Sequence, residues 1–218
     1  MAELRSFIFL SRLQPQTMCY LGTWIRGSLP RSHVAAQVIE VAPGLDIEPL
    51  TDVAVKHADV KAGILVVERQ FGYLEIHGGT DEVQAAASAV LGALGATARD
   101  ASRPEILAST IITMLDPQQA FLVNRNKIGS MALAGESLFV LEMRPASYAI
   151  LAANEAEKEM EEAKKALGIP PTMSEHHLVA NVKLQKHLII TYGSDPPPGS
   201  YISQCCAFCC SYREIFIV

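Results

Sequence analysis

The feature that most constrains the fold is an internal repeat at an offset of 102 residues. The string "LQPQ" at 13–16 superposes on "LDPQ" at 115–118, and the register continues without a gap for more than fifty residues. Identical pairs in this register include Glu3 and Glu105, Pro15 and Pro117, Gln16 and Gln118, Gly27 and Gly129, Ser28 and Ser130, Glu40 and Glu142, Pro43 and Pro145, Ala54 and Ala156, and Lys56 and Lys158. Because a gapless register of this length is hard to obtain by accident, the chain is a tandem duplication.

Both copies show the same order of predicted elements. Strands are predicted where apolar residues alternate or β-branched residues cluster, and helices where apolar residues recur three or four apart. In copy one, with copy two in parentheses, these are a strand at 5–12 (106–114), a short helical segment after Pro15 (Pro117), a strand at 36–41 (137–142) and a helix from Pro43 to about 58 (Pro145 to about 160). Copy one continues with a hairpin at 63–77 and a helix at 80–94. This order predicts the α+β class, with a small antiparallel sheet and flanking helices.

The second copy is incomplete. Lys56 and Gly95 are 39 residues apart, whereas their counterparts Lys158 and Gly168 are 10 apart, so about 29 residues are missing. Because "KKALG", ending at Gly168, resembles "LGALG", ending at Gly95, the missing part corresponds to the hairpin between the two helices. A deletion, a misread frame or a degraded copy would each account for the loss.

Three regions follow from the repeat. The polar stretch "GATARDASRPE" separates the copies, so we predict a first domain at 1–97, a second domain at 98–168 that lacks the hairpin, and a divergent Cys-rich tail at 169–218. The tail has no register with copy one and contains "DPPPG", which cannot join a helix or a central strand. We therefore expect the tail to be disordered and to be cut quickly by proteases.

Composition and charge exclude several classes of protein. A net charge of −5 provides no basic field to hold nucleic acid or anionic lipid. No apolar run approaches the ~18–20 residues that a membrane span requires, and the apolar part of the N-terminal stretch is too short for a signal peptide. A hydrophobic content of 50% indicates subunit interfaces as well as a core. The sequence predicts a cytoplasmic protein that binds neither nucleic acid nor membrane.

Motifs of catalysis and cofactor binding are absent from the sequence, so we predict no catalytic residue and no cofactor. Cys206 and Cys209 form a single Cys-x-x-Cys, with His176, His177 and His187 upstream. That spacing suits zinc or an iron–sulfur site, but a complete site needs two such pairs. We therefore predict a tail open to oxidation and no metal site.

Several motifs resemble those of bacterial microcompartment shell domains. The strings "LQPQ", "APGLDI", "TDVAVKHADV", "VVERQFGYLEIH", "NRNKIGSM" and "LAANEAEK" are similar to strings in the circularly permuted tandem shell proteins, the trimer-forming (BMC-T) class that includes carboxysome proteins. The strand "RSFIFLSRL" stands at the front, as it does in the permuted domains. The resemblance covers residues 3 to about 158 and leaves the truncated second copy as a departure.

The resemblance implies a structural shell tile. Such tiles form pseudo-hexameric homotrimers, contact other shell proteins, can stack face to face, and have a pore on the three-fold axis for small polar metabolites. A second function stays open, because duplicated αβ domains also form ligand-binding regulatory sensors.

The resemblance further implies that Glu68, Arg69, Gln70, Phe71 and Gly72 line the pore. The charged pair Glu68 and Arg69 could bridge symmetry mates and close the channel, with Gly72 giving the turn its backbone freedom. The alternative is an ordinary solvated hairpin tip.

Two lysines, Lys56 and Lys158, occupy matching positions in the repeat. By resemblance they lie at the edge between neighbouring tiles, where the long side chain can follow the partner surface. The alternative is a lysine near a helix C-terminus, where the macrodipole favours a positive charge.

Overall fold

The computed structural model describes residues 2–68, 70–125, 132–135, 138–166, 187–192 and 215–217. The strands are β1 (Glu3–Leu10), β2 (Ala35–Ala42), β3 (Lys61–Val67), β4 (Gly72–Gly78), β5 (Glu105–Ile112), β6 (Leu138–Arg144), β7 (His187–Tyr192) and β8 (Ile215–Ile217). The helices are α1 (Pro15–Trp24), α2 (Ile47–His57), α3 (Thr80–Leu94), α4 (Pro117–Asn124) and α5 (Tyr148–Ala166). The predicted α+β class is confirmed, with one sheet in each copy.

The first sheet has the strand order β1-β2-β4-β3, and every neighbouring pair is antiparallel. One face is covered by α2 and α3 around a core that includes Ile39, Leu74 and Val83. The opposite face carries Ile8, Val38 and other residues of a second core. Both faces are therefore buried, which explains why β2 and β4 are buried along nearly their whole lengths.

Helix α5 belongs to copy two but packs on the sheet of copy one. Its Ala149, Ile150 and Ala153 join the same core as Ile8 and Val38. These three residues share one face because they are spaced one, three and four apart along a helix. The two copies are thus joined by a shared hydrophobic core as well as by the chain.

The second sheet has the strand order β5-β6-β7-β8. Strands β5 and β6 repeat the antiparallel pairing of β1 and β2, including the irregularity near the start of the first strand. Beyond β6 the two sheets differ, because β7 runs parallel to β6 whereas β4 runs antiparallel to β2. Two segments of the predicted 169–218 tail thus stand where β4 and β3 stand in the first sheet.

Helix lengths differ modestly from the sequence predictions. Helix α2 ends at His57, one residue before the predicted end, while α5 continues to Ala166 instead of stopping near 160. The extension includes most of "KKALG", so α5 runs through the point at which the hairpin is missing. Among the described residues, no helix is both long and apolar enough to cross a membrane.

Candidate pore turn and assembly surfaces

The turn between β3 and β4 contains the residues predicted to line a pore. The backbone N–H of Glu68 donates to the carbonyl of Phe71 over 2.9 Å and closes the turn. Glu68 is half-buried and Gln70 is exposed. Arg69 lies outside the described residues. The turn therefore presents a carboxylate and an amide at the end of the first sheet.

The base of this turn is fixed by packing. Gly72 is buried, and a Cβ at this position would meet the carbonyl oxygen of Gly44 and the side chain of Ile47. A Cβ on Gly44 would in turn meet the carbonyl oxygens of Glu68 and Phe71. Gly72 is thus required because two backbone segments approach each other closely at this point. This close packing, and not freedom for the turn to swing, is the reason for a glycine here.

Arg5 connects the turn at 68–71 to the centre of the molecule. Its guanidinium lies 5.6 Å from the ring centroid of Phe71, within the range of a cation–π contact. Its Nε is 2.8 Å from Oε1 of Glu40, whose side chain is fully buried. The half-buried Phe71 is therefore tied to the first sheet and not free in the turn.

Glu40 extends the connection into copy two. Its Oε2 accepts a hydrogen bond of 2.9 Å from the Ser147 hydroxyl, just before α5 begins. The Ser147 hydroxyl is also 2.5 Å from that of Ser6 on β1. Burial raises the pKa of the Glu40 carboxyl above its ordinary 4.5, while Arg5 and Ser147 act in the opposite direction. Phe71, Arg5, Glu40 and Ser147 therefore form one line of contacts from the turn to the junction of the copies.

A second buried acid lies on β4. Oε1 of Glu75 is 3.0 Å from Nδ1 of His77, and both side chains are almost completely buried. Burial raises the pKa of Glu75, whereas His77 and the backbone amides of Gly63 and Ile64 favour the charged form. The sequence reasoning missed this pair because a Glu-x-His in a strand carries no distinctive signal.

The contact between α5 and copy one also contains a polar cluster, which the sequence reasoning missed. Glu157 accepts hydrogen bonds from the backbone amides of Gln16 and Thr17, over 2.8 and 3.0 Å. Asn154 accepts from the Gln14 amide over 2.9 Å and donates to the Arg12 carbonyl over 3.1 Å. We call this contact of α5 with β1 and α1 the intrachain interface.

The matching surface of copy two is exposed where the structure describes it. Tyr20 on α1 is fully buried beneath α5, whereas its repeat counterpart Leu122 on α4 is 63% exposed. We define the open face as the surface of α4 and β5 that corresponds to the part of copy one covered by α5, and its exposed apolar residues include Leu107 and Leu122.

The helix that matches α5 is also uncovered on one side. Ser147 and Glu157 are buried in the intrachain interface, but their repeat counterparts Leu45 and Val55 are 69% and 41% exposed. We call Asp52 and Val55, together with Leu45 just before α2, the outer α2 surface. Within the described residues, one contact between repeat-related surfaces is therefore completed in the chain, and one matching pair of surfaces is exposed.

The two predicted tile-edge lysines are both on helix surfaces. The Nζ atom of Lys56 is 2.6 Å from Oδ2 of Asp52, and that of Lys158 is 3.4 Å from Oε2 of Glu155. Both side chains are exposed, so each can exchange its carboxylate partner for another at a surface. The cysteines 206 and 209 and the histidines 176 and 177 considered for a metal lie outside the described residues, as does the side chain of His187.

The fold is a duplicated α+β chain whose second copy packs a helix on the sheet of the first, and several known proteins match it. The family model described as the CsoS1D N-terminal domain matches residues 4–100. The carboxysome shell protein CcmP of Synechococcus elongatus is 48% identical over 157 residues, which cover 72% of this chain and 74% of that protein. The carboxysome shell protein CsoS1D of Prochlorococcus marinus is 41% identical over 72% of this chain and 62% of its own length.

Two solved structures agree with these relatives. The fused permuted hexameric shell protein MSM0275 of the RMM microcompartment is 74% identical, with a TM-score of 0.69, over 72% of this chain and 77% of that protein. The double-ringed trimeric shell protein MSM0271 of the same microcompartment is 43% identical, with a TM-score of 0.68 and the same coverage.

The chain belongs to the family of permuted tandem microcompartment shell proteins. It is a structural tile of a microcompartment shell. The relatives named above are all shell proteins, which favours the tile over the regulatory sensor.

Proposed function

We propose that three copies of this tile close into a ring by placing the outer α2 surface of one chain on the open face of the next. In the ring, every interface has the same geometry, with a helix of one copy covering the first strand and first helix of another. The intrachain interface is the template for the contact between chains. The turn at 68–71 then lines a central pore for small polar metabolites.

The observation that carries this proposal is that the outer α2 surface and the open face are both exposed, although their repeat counterparts are buried against each other. The repeat places Leu45 and Val55 where Ser147 and Glu157 are buried against copy one, and Leu122 where Tyr20 is buried by α5. Burying a large apolar side chain contributes on the order of 1.5–3 kcal/mol, so covering the open face is a substantial driving force. A monomer would leave this apolar area in water.

The proposed pore has three charged turns and not six. Copy two lacks the residues that would form a second hairpin of this kind, so each chain contributes one Glu68 and one Arg69. A solvent-exposed ion pair is worth only about 0–1 kcal/mol, so paired and separated arrangements would be close in energy. Because Phe71 and Gly72 are held by packing, any opening motion is confined to residues 68–70.

Replacing Leu122 by aspartate tests the interface. The charged side chain would be buried against the neighbouring α2, so we expect the trimer to dissociate while the monomer keeps its circular dichroism spectrum. Leu29→Asp is the matched control, because Leu29 is also 63% exposed but belongs to neither surface. A trimer unaffected by Leu122→Asp would contradict the proposed contact.

The double variant Glu68→Ala, Arg69→Ala tests the pore. We expect it to fold and trimerise as the parent does, to lose any closed state and to discriminate less between charged and neutral metabolites in shells built from it. Cryo-electron microscopy of both proteins provides the structural readout. Placement of the 68–71 turn on the outer rim of the ring would show that it is a solvated hairpin tip.

The lysine positions and the stacking of rings stay predictions. Lys56 and Lys158 are proposed to lie at the edge between tiles, and their exposure is compatible with that position. MSM0271 is described as double-ringed, which supports testing whether rings of this chain also pair face to face.

A further inference from the structure

The two copies cap equivalent helices in different ways. Helix α4 begins after Asp116, whose carboxylate accepts a hydrogen bond of 2.8 Å from the amide of Gln118. Helix α1 begins after Gln14, whose side chain makes no capping hydrogen bond. The carboxylate at the start of α1 comes instead from Glu157, which is 141 residues after Gln16 and 140 residues after Thr17.

Glu157 satisfies the amides that an N-cap residue normally satisfies. It accepts from the amides of Gln16 and Thr17 and, over 3.1 Å, from the Thr17 hydroxyl. The first amides of a helix have no partner within the helix, and the positive end of the macrodipole favours a carboxylate there. Glu157 is therefore a cap supplied to α1 by the other copy.

The repeat shows a coordinated exchange at these positions. Copy one has Gln14 opposite Glu157, so the carboxylate stands on the covering helix. On the exposed surfaces, Asp116 corresponds to Gln14 and Val55 corresponds to Glu157. Here the carboxylate belongs to Asp116, which caps α4, and the matching position on α2 is the apolar Val55. The pair Gln14 and Glu157 thus has one carboxylate for the N-terminus of α1, and the pair Asp116 and Val55 has one for the N-terminus of α4.

We propose that this exchange makes the two kinds of interface mutually exclusive and so fixes the alternation of copies around the ring. This inference rests on the proposed ring for the contact between chains. Helix α5 on α4 would bring the Glu157 and Asp116 carboxylates to the same N-terminus, which is repulsive. Helix α2 on α1 would leave the α1 amides without a carboxylate, because Val55 has none to offer. Gln14, Glu157, Val55 and Asp116 are thus the specificity-determining residues of assembly.

The pair within the chain is tested by a double-mutant cycle in the full-length protein. Gln14→Asp adds a second carboxylate beside Glu157, and Glu157→Val removes the cap. Each should lower the melting temperature by about 2–4 °C, the shift expected in a chain of this size when a helix cap is lost. The double variant Gln14→Asp, Glu157→Val reproduces the pair found in copy two and should melt above either single variant. A double variant whose loss equals the sum of the single losses would overturn the proposal.

The pair between chains is tested by assembly. Val55→Glu changes an exposed residue, so we expect an unchanged fold but at least a tenfold weaker trimer, because the new carboxylate faces Asp116 of the next chain. Val55→Glu with Asp116→Gln recreates the pair of copy one and should restore the trimer. Failure of the rescue would overturn the proposed selectivity. A parent protein that is itself monomeric would instead refute the ring, while the cycle at positions 14 and 157 would still test the cap.

Discussion

Oε2 of Glu40 on β2 accepts a hydrogen bond of 2.9 Å from the hydroxyl of Ser147, which is 107 residues further along the chain. Both side chains are fully buried, and Glu40 is also paired with Arg5. A buried carboxylate with these partners holds the start of α5 against the first sheet. A buried polar contact inside the shared core therefore holds the two copies together.

Ser147→Ala should lower the free energy of unfolding by about 1–3 kcal/mol, because the buried Glu40 carboxylate loses a hydrogen-bond donor. Urea denaturation measures this change. Ser88→Ala is the control, since the exposed Ser88 hydroxyl bonds to the Gln84 carbonyl in its own helix. Equal effects of the two substitutions would show that the Glu40 contact adds nothing to stability.

Glu75 should make stability depend on pH in a defined direction. Its pKa is raised in the folded state, so the unfolded chain loses its proton first as the pH rises from about 4.5. The unfolded state then binds fewer protons than the native state, and stability falls until the pH passes the folded-state pKa. Glu75→Gln should reduce this fall, as measured by urea denaturation across pH 4 to 8. Parallel profiles for the variant and the parent would contradict the assignment.

Gly72→Ala should destabilise the protein and displace the turn at 68–71, because the added Cβ meets the Gly44 carbonyl and Ile47. Gly92→Ala is the matched control. Nothing lies within 4 Å of a Cβ there, and Gly92 is inside α3, so alanine should stabilise by about 0.5–1 kcal/mol. Thermal melting of both variants gives the comparison. A Gly72→Ala protein as stable as the parent would show that the two backbones can separate at little cost.

Truncation after Ala166 should loosen the second sheet. It removes β7 and β8, and β6 then loses its parallel partner along residues 138–143. Unpaired backbone amides exchange with solvent, so hydrogen exchange in β6 should accelerate while β2 in the first sheet keeps its protection. Unchanged exchange in β6 would instead favour the prediction that 169–218 is a disordered tail.

The repeat made much of the fold predictable, because the 102-residue offset assigns one element order to both copies. The α5 extension past 160 follows from the lost hairpin, which leaves two helical stretches joined. The partner of β6 could not be predicted, since the tail shares no register and a β pairing across more than forty residues has no local signal.

The candidate site was predictable only in part. The charged turn at 68–71 was visible in the sequence, but the packing of Gly72 against Gly44 depends on two segments that meet only in the fold. The difference between "LQPQ" and "LDPQ" was visible too. Its meaning was not, because the carboxylate that replaces Asp116 as a cap comes from Glu157 in the other copy.

The mass of the purified full-length protein in solution tests the central claim most directly. Native mass spectrometry or analytical ultracentrifugation should find a species of three times the 23.6 kDa chain, because only a closed ring covers every open face. A protein that stays at 23.6 kDa at concentrations well above micromolar would contradict the ring and the three-fold pore that depends on it.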